Sequence, residues 1–278
     1  MTVRVALPSR GRLRDGVVAL LDHAGYRTGS LRGTGARATV DGIEFIEMRP
    51  RDAASWLAAG RIDAAFISTD LVLEERLGEL PSVPLGLARS DLVVASRDDD
   101  GRSSAADLAG AVVATHLPTA TADWFDAQGI EVRVVSMGGA LEGVCAAGLA
   151  DAIVDLRQTG TSLSQNRLRP LAEIESCQAL LVHDGADGLD DLSLRLNAAL
   201  DAGRHRYVML HLPPERVDDL GALFPGLAAP TVLPLAGRDD LVAVHLVVED
   251  SALWSALGEI RAIGGSGIVA LPPDALLP

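Results

Sequence analysis

From residue 151 to 163 the chain reads Asp-Ala-Ile-Val-Asp-Leu-Arg-Gln-Thr-Gly-Thr-Ser-Leu. An apolar, strand-like run ends on an acid, Asp155. A turn of small hydroxyl residues follows, with Gln158, Thr159, Gly160, Thr161 and Ser162. Glycine lets the backbone turn sharply, so that successive N–H groups point one way. The hydroxyls add further donors. Such a turn suits a phosphate monoester. Asp155 beside it can accept hydrogen bonds from sugar hydroxyls or meet a metal. The same spacing also describes a plain strand-to-helix loop with a buried acid.

The cations available to such a site are unusual. Lysine is absent, and all 24 basic side chains are arginine. That excludes a Schiff-base lysine, a lysine general base and a Gly-Lys-Ser/Thr phosphate loop. An anion must be held by arginine, backbone N–H groups or a metal. The net charge of −14 and the lack of a long basic run argue against nucleic acid as a partner. The two cysteines, Cys145 and Cys177, form no Cys-x-x-Cys pair, and the histidines have no metal-site spacing. Apolar runs are too short to span a bilayer, and no export signal opens the chain. The expectation is a cytoplasmic protein with no membrane partner.

The elements that must position these residues alternate. Short apolar runs at 3–7, 42–48 and 63–67 read as strands, with helical spacing at 13–24 and 52–60 between them. A second series begins near Asp91, with strands at 92–95, 112–115, 132–135 and 152–156. Helices are expected at 120–128 and from 138 to about 147. Two more strands, at 168–173 and 179–183, lead back toward the first series. A helix at 189–202 then reads as a connector. The last 70 or so residues follow the order βαββαβ of a ferredoxin-like domain. In it, Gly264 stops a helix that Ser251 starts. The pattern predicts an α/β protein. Its expected divisions are 1–90 plus 170–200, then 91–169 with the hydroxyl-rich turn, then 204–278.

The chain as a whole resembles the ATP phosphoribosyltransferase family, the first enzymes of histidine biosynthesis, in their long form. The 151–163 segment is similar to that family's phosphoribosyl-pyrophosphate loop. Pro8 with Gly11-Arg12-Leu13 resembles its N-terminal Pro-x-Gly-Arg-Leu turn, with one inserted residue. Arg49-Pro50-Arg51-Asp52 resembles its Arg-Pro-x-Asp segment. Gly138-Gly139-Ala140-Leu141-Glu142 resembles its Gly-Ser-Val-Glu helix start. Residues 207–211 and 230–236 resemble its C-terminal domain.

The resemblance implies a two-lobed core like a periplasmic binding protein, plus the ferredoxin-like domain. The implied reaction is displacement of pyrophosphate from phosphoribosyl pyrophosphate by N1 of ATP. The resemblance places the donor's 5-phosphate on Gln158, Thr159, Gly160, Thr161 and Ser162. Asp155 and Glu142 are its implied catalytic residues, facing the ribose. Magnesium would enter with the substrate, near Glu142 and Asp155. Arg10, Arg12, Arg49, Arg51, Ser68 and Asp70 are implied nucleotide or polyphosphate contacts. His211, Leu227 and Thr231 are implied regulatory residues. Histidine and AMP are implied inhibitors, and the implied assembly is a homodimer or homohexamer.

Departures from the family pattern fall on the acceptor side. Ser68 replaces a usual glycine, Leu117 an aromatic residue, and Ala122 with Asp123 a basic pair. An added carboxylate near a triphosphate would repel it. Two further readings therefore stand beside the first. One is a related transferase with the same donor and another nucleobase-like acceptor. The other is a non-catalytic regulatory protein that binds a small anion.

Overall fold

The structure is a computed structural model, and it describes residues 2–33, 35–224 and 230–277. The chain forms two compact units. One runs to Asp22 and from Tyr26 to Ser193. The other holds His23–Gly25 and everything from Leu194 onward.

The first unit opens with β1 (Val3–Pro8) and α1 (Gly11–His23), whose buried stripe is Val17, Val18 and Leu21. β2 (Arg37–Val40) and β3 (Ile43–Met48) form a hairpin. Its two turn residues, Asp41 and Gly42, are left-handed at φ 47° and 86°, which matches the twist of the paired strands. α2 (Pro50–Ala58) starts on proline, whose missing N–H has no helical partner to lose. β4 (Ala64–Ser68), α3 (Thr69–Glu74) and β5 (Ser82–Pro84) follow.

The second series is β6 (Ser90–Arg97), β7 (Val112–Thr115), α4 (Pro118–Ala127) and β8 (Arg133–Ser136). It continues through α5 (Leu141–Ala146), β9 (Ala152–Arg157), α6 (Thr161–Gln165) and β10 (Leu168–Cys177). β11 (Ala179–His183) then returns to the first sheet. The sheet orders are β2-β3-β1-β4-β11-β5 and β10-β6-β9-β7-β8. In each, three neighbouring strands are parallel and the next is inserted antiparallel: β11 on β4 in one, β6 on β9 in the other. The two lobes thus share one wiring. This is the two-lobed α/β core that the sequence led us to expect.

The return point differs from the sequence reading, which placed residue 170 onward in the first lobe. β10 pairs with β6 as far as Cys177, so the crossing comes at Gln178. Strand periodicity reveals a strand but not its partner, and β10 could be assigned only through its pairing. A single apolar core runs through both lobes. It contains Ala6, Ile67 and Leu71 together with Leu92, Leu117, Phe125 and Val154.

The second unit carries most of α7 (Leu189–Arg204), then β12 (His205–Leu212). A 3-10 segment, Pro214–Asp219, runs into the single turn α8 (Leu220–Leu223). β13 (Thr231–Leu235), β14 (Arg238–Glu249), α9 (Asp250–Ala262) and β15 (Ser266–Leu271) complete it. α9 begins one residue before Ser251, and Gly264 ends it at φ 95°. The strands are antiparallel in the order β13-β14-β12-β15, the ferredoxin-like arrangement. Val208, Leu210 and Leu212 pack with Val244, Leu246 and Val248 against Leu253, Ala256 and Ile260. Each of the Val, Leu and Ile side chains contributes roughly 1.5–3 kcal/mol on burial. Among the described residues, no helix is long and apolar enough to cross a membrane.

Candidate active site

β9 lies at the centre of the second sheet, between β6 and β7. Its outgoing end carries Asp155 and then the 158–162 turn. Gly160 is left-handed, with φ 76°, a conformation that glycine adopts at no steric cost. The turn is closed by the Ser164 amide donating to the Gly160 carbonyl at 3.0 Å. Thr159 and Thr161 share a hydroxyl hydrogen bond of 3.0 Å. The Ser162 hydroxyl donates to the Glu142 carboxylate, which ties the turn to the first turn of α5. From the other lobe, Arg12 donates to the Gln158 side-chain oxygen at 3.3 Å.

Two clefts open on either side of this arrangement. The first, of about 600 Å³, is lined by the 158–162 turn, Glu142, Leu13, Ser68 and Ser90. The second, of about 710 Å³, is lined by Arg49, Arg51, His116, Asp155 and the 136–141 segment. In that segment Gly139 has φ 152° and Ala140 φ 57°. A left-handed alanine costs about 1–2 kcal/mol, so the surrounding structure holds this turn in place. Arg51 donates to the His116 carbonyl and so bridges the lobes at the second cleft. Ligands of open α/β sheets sit at the outgoing ends of parallel strands, and both clefts do so here.

Asp155 has 22% of its side chain exposed. Burial raises its pKa above the usual carboxylate range. The Leu156 amide, donating at 2.8 Å, and His116, with Nδ1 at 3.6 Å, act against that rise. The charges of Glu142 and Asp70 reinforce it. Among the described residues, no three acidic, histidine or cysteine side chains converge as a metal cage.

The structure brings Glu142, the 158–162 residues and Ser68 to the first cleft, with Arg12 on Gln158, and puts Asp155 on the second, near enough to Glu142 to feel its charge. It puts Arg49 and Arg51 on the second cleft. Arg10 is exposed and lines neither cleft. Asp70 also lines neither. It is 3% exposed, with Oδ1 lacking a hydrogen-bond partner, and it lies near Cys177, whose thiol burial pushes up to about 12. Ser68 is extended, at φ −111°, so this turn has no need of glycine. In the second unit, His211 and Thr231 lie on the open face of the sheet, on strands that β14 separates. Leu227 lies outside the described residues.

His116 was not singled out by residue spacing. It stands one residue past β7, and no motif in the chain marks it. The signal lies in the pairing. β7 and β9 are parallel, with Thr115 opposite Val154, so the next residues, His116 and Asp155, emerge side by side.

Comparison with known proteins agrees with this arrangement. The sequence model described as ATP phosphoribosyltransferase matches residues 49–198, and that described as HisG, C-terminal domain, matches 202–273. The ATP phosphoribosyltransferase of Methanococcoides burtonii is 32% identical, over 99% of this chain and 100% of its own. That of Halobacterium salinarum is 35% identical over the same shares. Among solved structures, the ATP phosphoribosyl transferase (HisG:HisZ) complex from Thermotoga maritima is similar, with a TM-score of 0.58 and 26% identity. That match covers 70% of this chain and 98% of the other. By sequence, by its two matched regions and by the wiring of its lobes, the chain belongs to the ATP phosphoribosyltransferase family.

Proposed function

We infer that this chain condenses phosphoribosyl pyrophosphate with N1 of ATP and releases pyrophosphate, the first step of histidine biosynthesis. The observation that carries this reading is the pair of clefts meeting at the start of α5, with Glu142 on the first and Leu141 and Asp155 on the second. One offers a hydroxyl-rich turn for a phosphate monoester, and the other offers Arg49 and Arg51 for polyphosphate.

In this reading the 158–162 turn binds the donor's 5-phosphate through backbone N–H groups and hydroxyls. Asp155 accepts hydrogen bonds from the ribose hydroxyls. Glu142 stays fixed by Ser162 and faces the same ribose. The bond from ribose C1 to the pyrophosphate oxygen breaks as the C1–N1 bond forms, and the electron pair leaves on pyrophosphate. Charge builds on the leaving group, so a lysine-free site needs placement and cationic stabilisation more than a strong acid or base. Arg49 and Arg51 supply the stabilisation. The described residues do not form a resident metal cage, and the reading has magnesium arrive as a complex with the polyphosphate.

The second unit, in the same reading, organises a homo-oligomer and binds histidine as an inhibitor near His211 and Thr231, and AMP is a second inhibitor. The test is direct. Protein incubated with magnesium, ATP and phosphoribosyl pyrophosphate should yield N1-phosphoribosyl-ATP by mass spectrometry, and histidine should slow that yield. Product with another heterocycle but none with ATP would assign a different acceptor.

A further inference from the structure

Asp155 is expensive to keep ionised where it stands. Its side chain is mostly covered, and among the described residues the hydrogen bond it accepts comes from the amide of the next residue, Leu156. Glu142 and Asp70 lie close enough for their charges to oppose a second negative charge, and His116 acts in the opposite sense. The His116–Asp155 separation is a consequence of strand pairing. Parallel registration of Thr115 with Val154 sets the two side chains at adjacent strand ends. Thr115 is itself anchored, its hydroxyl donating to the Val154 carbonyl at 3.0 Å and accepting from the Leu117 amide at 3.0 Å. The residue before His116 and the residue after it are therefore both fixed. The contact with Arg51 uses the His116 backbone carbonyl, so the ring is not needed for that bridge.

We propose that His116 is a positioning residue for phosphoribosyl transfer: its imidazole, 3.6 Å from Asp155 across the ends of β7 and β9, holds the carboxylate for the ribose hydroxyls. At that separation the two groups interact by charge and dipole, since a hydrogen bond of this kind spans roughly 2.7–3.2 Å. Substrate closure can shorten it, as such contacts commonly tighten in the working complex. The inference rests on the role given to Asp155 in the proposed function.

The test is a double-mutant cycle on the full chain. His116→Ala should lower kcat/KM for phosphoribosyl pyrophosphate on the order of ten- to a hundredfold, the range expected when a reacting group loses its orientation. His116→Asn, whose amide can donate from near the Nδ1 position, should recover part of that loss. His116→Leu, which restores only volume, should not. In the Asp155→Asn background, His116→Ala should cost little more. A second readout needs no activity: at one fixed pH, the His116 ring-nitrogen resonances should differ between wild type and Asp155→Asn. An active wild type with an unimpaired His116→Ala variant, an equal loss in the Asp155→Asn background, or unchanged ring resonances would each overturn the proposal. A wild type inactive with both substrates would overturn the functional reading, and this inference with it.

Discussion

Arg76 and Asp123 form a two-pronged ion pair between the lobes, with Arg76 Nε 3.0 Å from Asp123 Oδ2 and Nη2 2.8 Å from Oδ1. Arg76 sits just beyond α3 in left-handed backbone, φ 52°, and Asp123 lies on α4. Beside them, the Glu74 carboxylate accepts from the Ala120 amide at 3.0 Å. The carboxylate expected to repel a bound triphosphate is thus already matched by a guanidinium, whose hydrogen bonds hold it below the usual carboxylate range. Asp123 lines neither cleft, and Leu117, the other suspected departure, is fully buried core. Asp123→Ala should leave KM for ATP within about twofold, since exposed pairs contribute little. Steady-state kinetics at varied ATP will show it, and a tenfold fall in KM would restore the repulsion argument.

Gly160 supplies the left-handed step of the 158–162 turn, to which the proposed function assigns the donor's phosphate. Gly160→Ala should destabilise the protein by about 1 kcal/mol and raise KM for phosphoribosyl pyrophosphate more than KM for ATP. The added methyl meets only Arg157 Cδ, at 3.9 Å, so the effect is one of backbone conformation and not of crowding. Thermal melts and donor titrations separate the two consequences.

Asp155 should show function at odds with stability. Burial raises its folded pKa above the unfolded value. Its contribution is therefore fully present below the unfolded pKa and is lost as pH rises through the folded one. Asp155→Asn should raise Tm at neutral pH, with the gain shrinking in acid, while activity collapses. Melts between neutral and acidic pH would contradict this if the variant were less stable at neutral pH.

The opposite sign is expected at Asp151. It accepts from the Val112 amide at 2.9 Å and from Arg102 at 3.0 Å, and these hold its pKa down. Stability from such a group is present above the unfolded pKa and is lost as pH falls through the folded one. Asp151→Ala strands the Val112 amide and should cost about 1–3 kcal/mol at neutral pH. The difference from wild type should narrow in acid, and a gap independent of pH in urea melts would refute the assignment.

Arg51 joins the lobes through a backbone carbonyl and also faces the second cleft. Arg51→Ala should raise KM for polyphosphate substrates about tenfold or more. Arg51→Lys should recover little of it, because the planar, forked guanidinium is what matches phosphate. Parallel kinetics on Arg10→Ala, whose side chain lines neither cleft, should stay near wild type.

The sequence alone carried the kinds of element, their order, the hydroxyl-rich turn at 158–162 and the chemistry that lysine's absence forbids. These are local properties. Apolar periodicity marks Val17 and Leu21, left-handed geometry calls for glycine at 160, and a strand of buried Ala152–Val154 residues must end before a turn of hydroxyls can face water. What the tertiary structure decided is which strand ends are neighbours. Pairing of β7 with β9 set His116 beside Asp155, pairing of β10 with β6 kept residues 170–177 in the second lobe, and the contact of α3 with α4 gave Asp123 its arginine. Those partners are 39 to 87 residues apart in the chain, so no local pattern encodes them. They follow from long-range packing of the sheets, which fixes side chains from distant segments at one place.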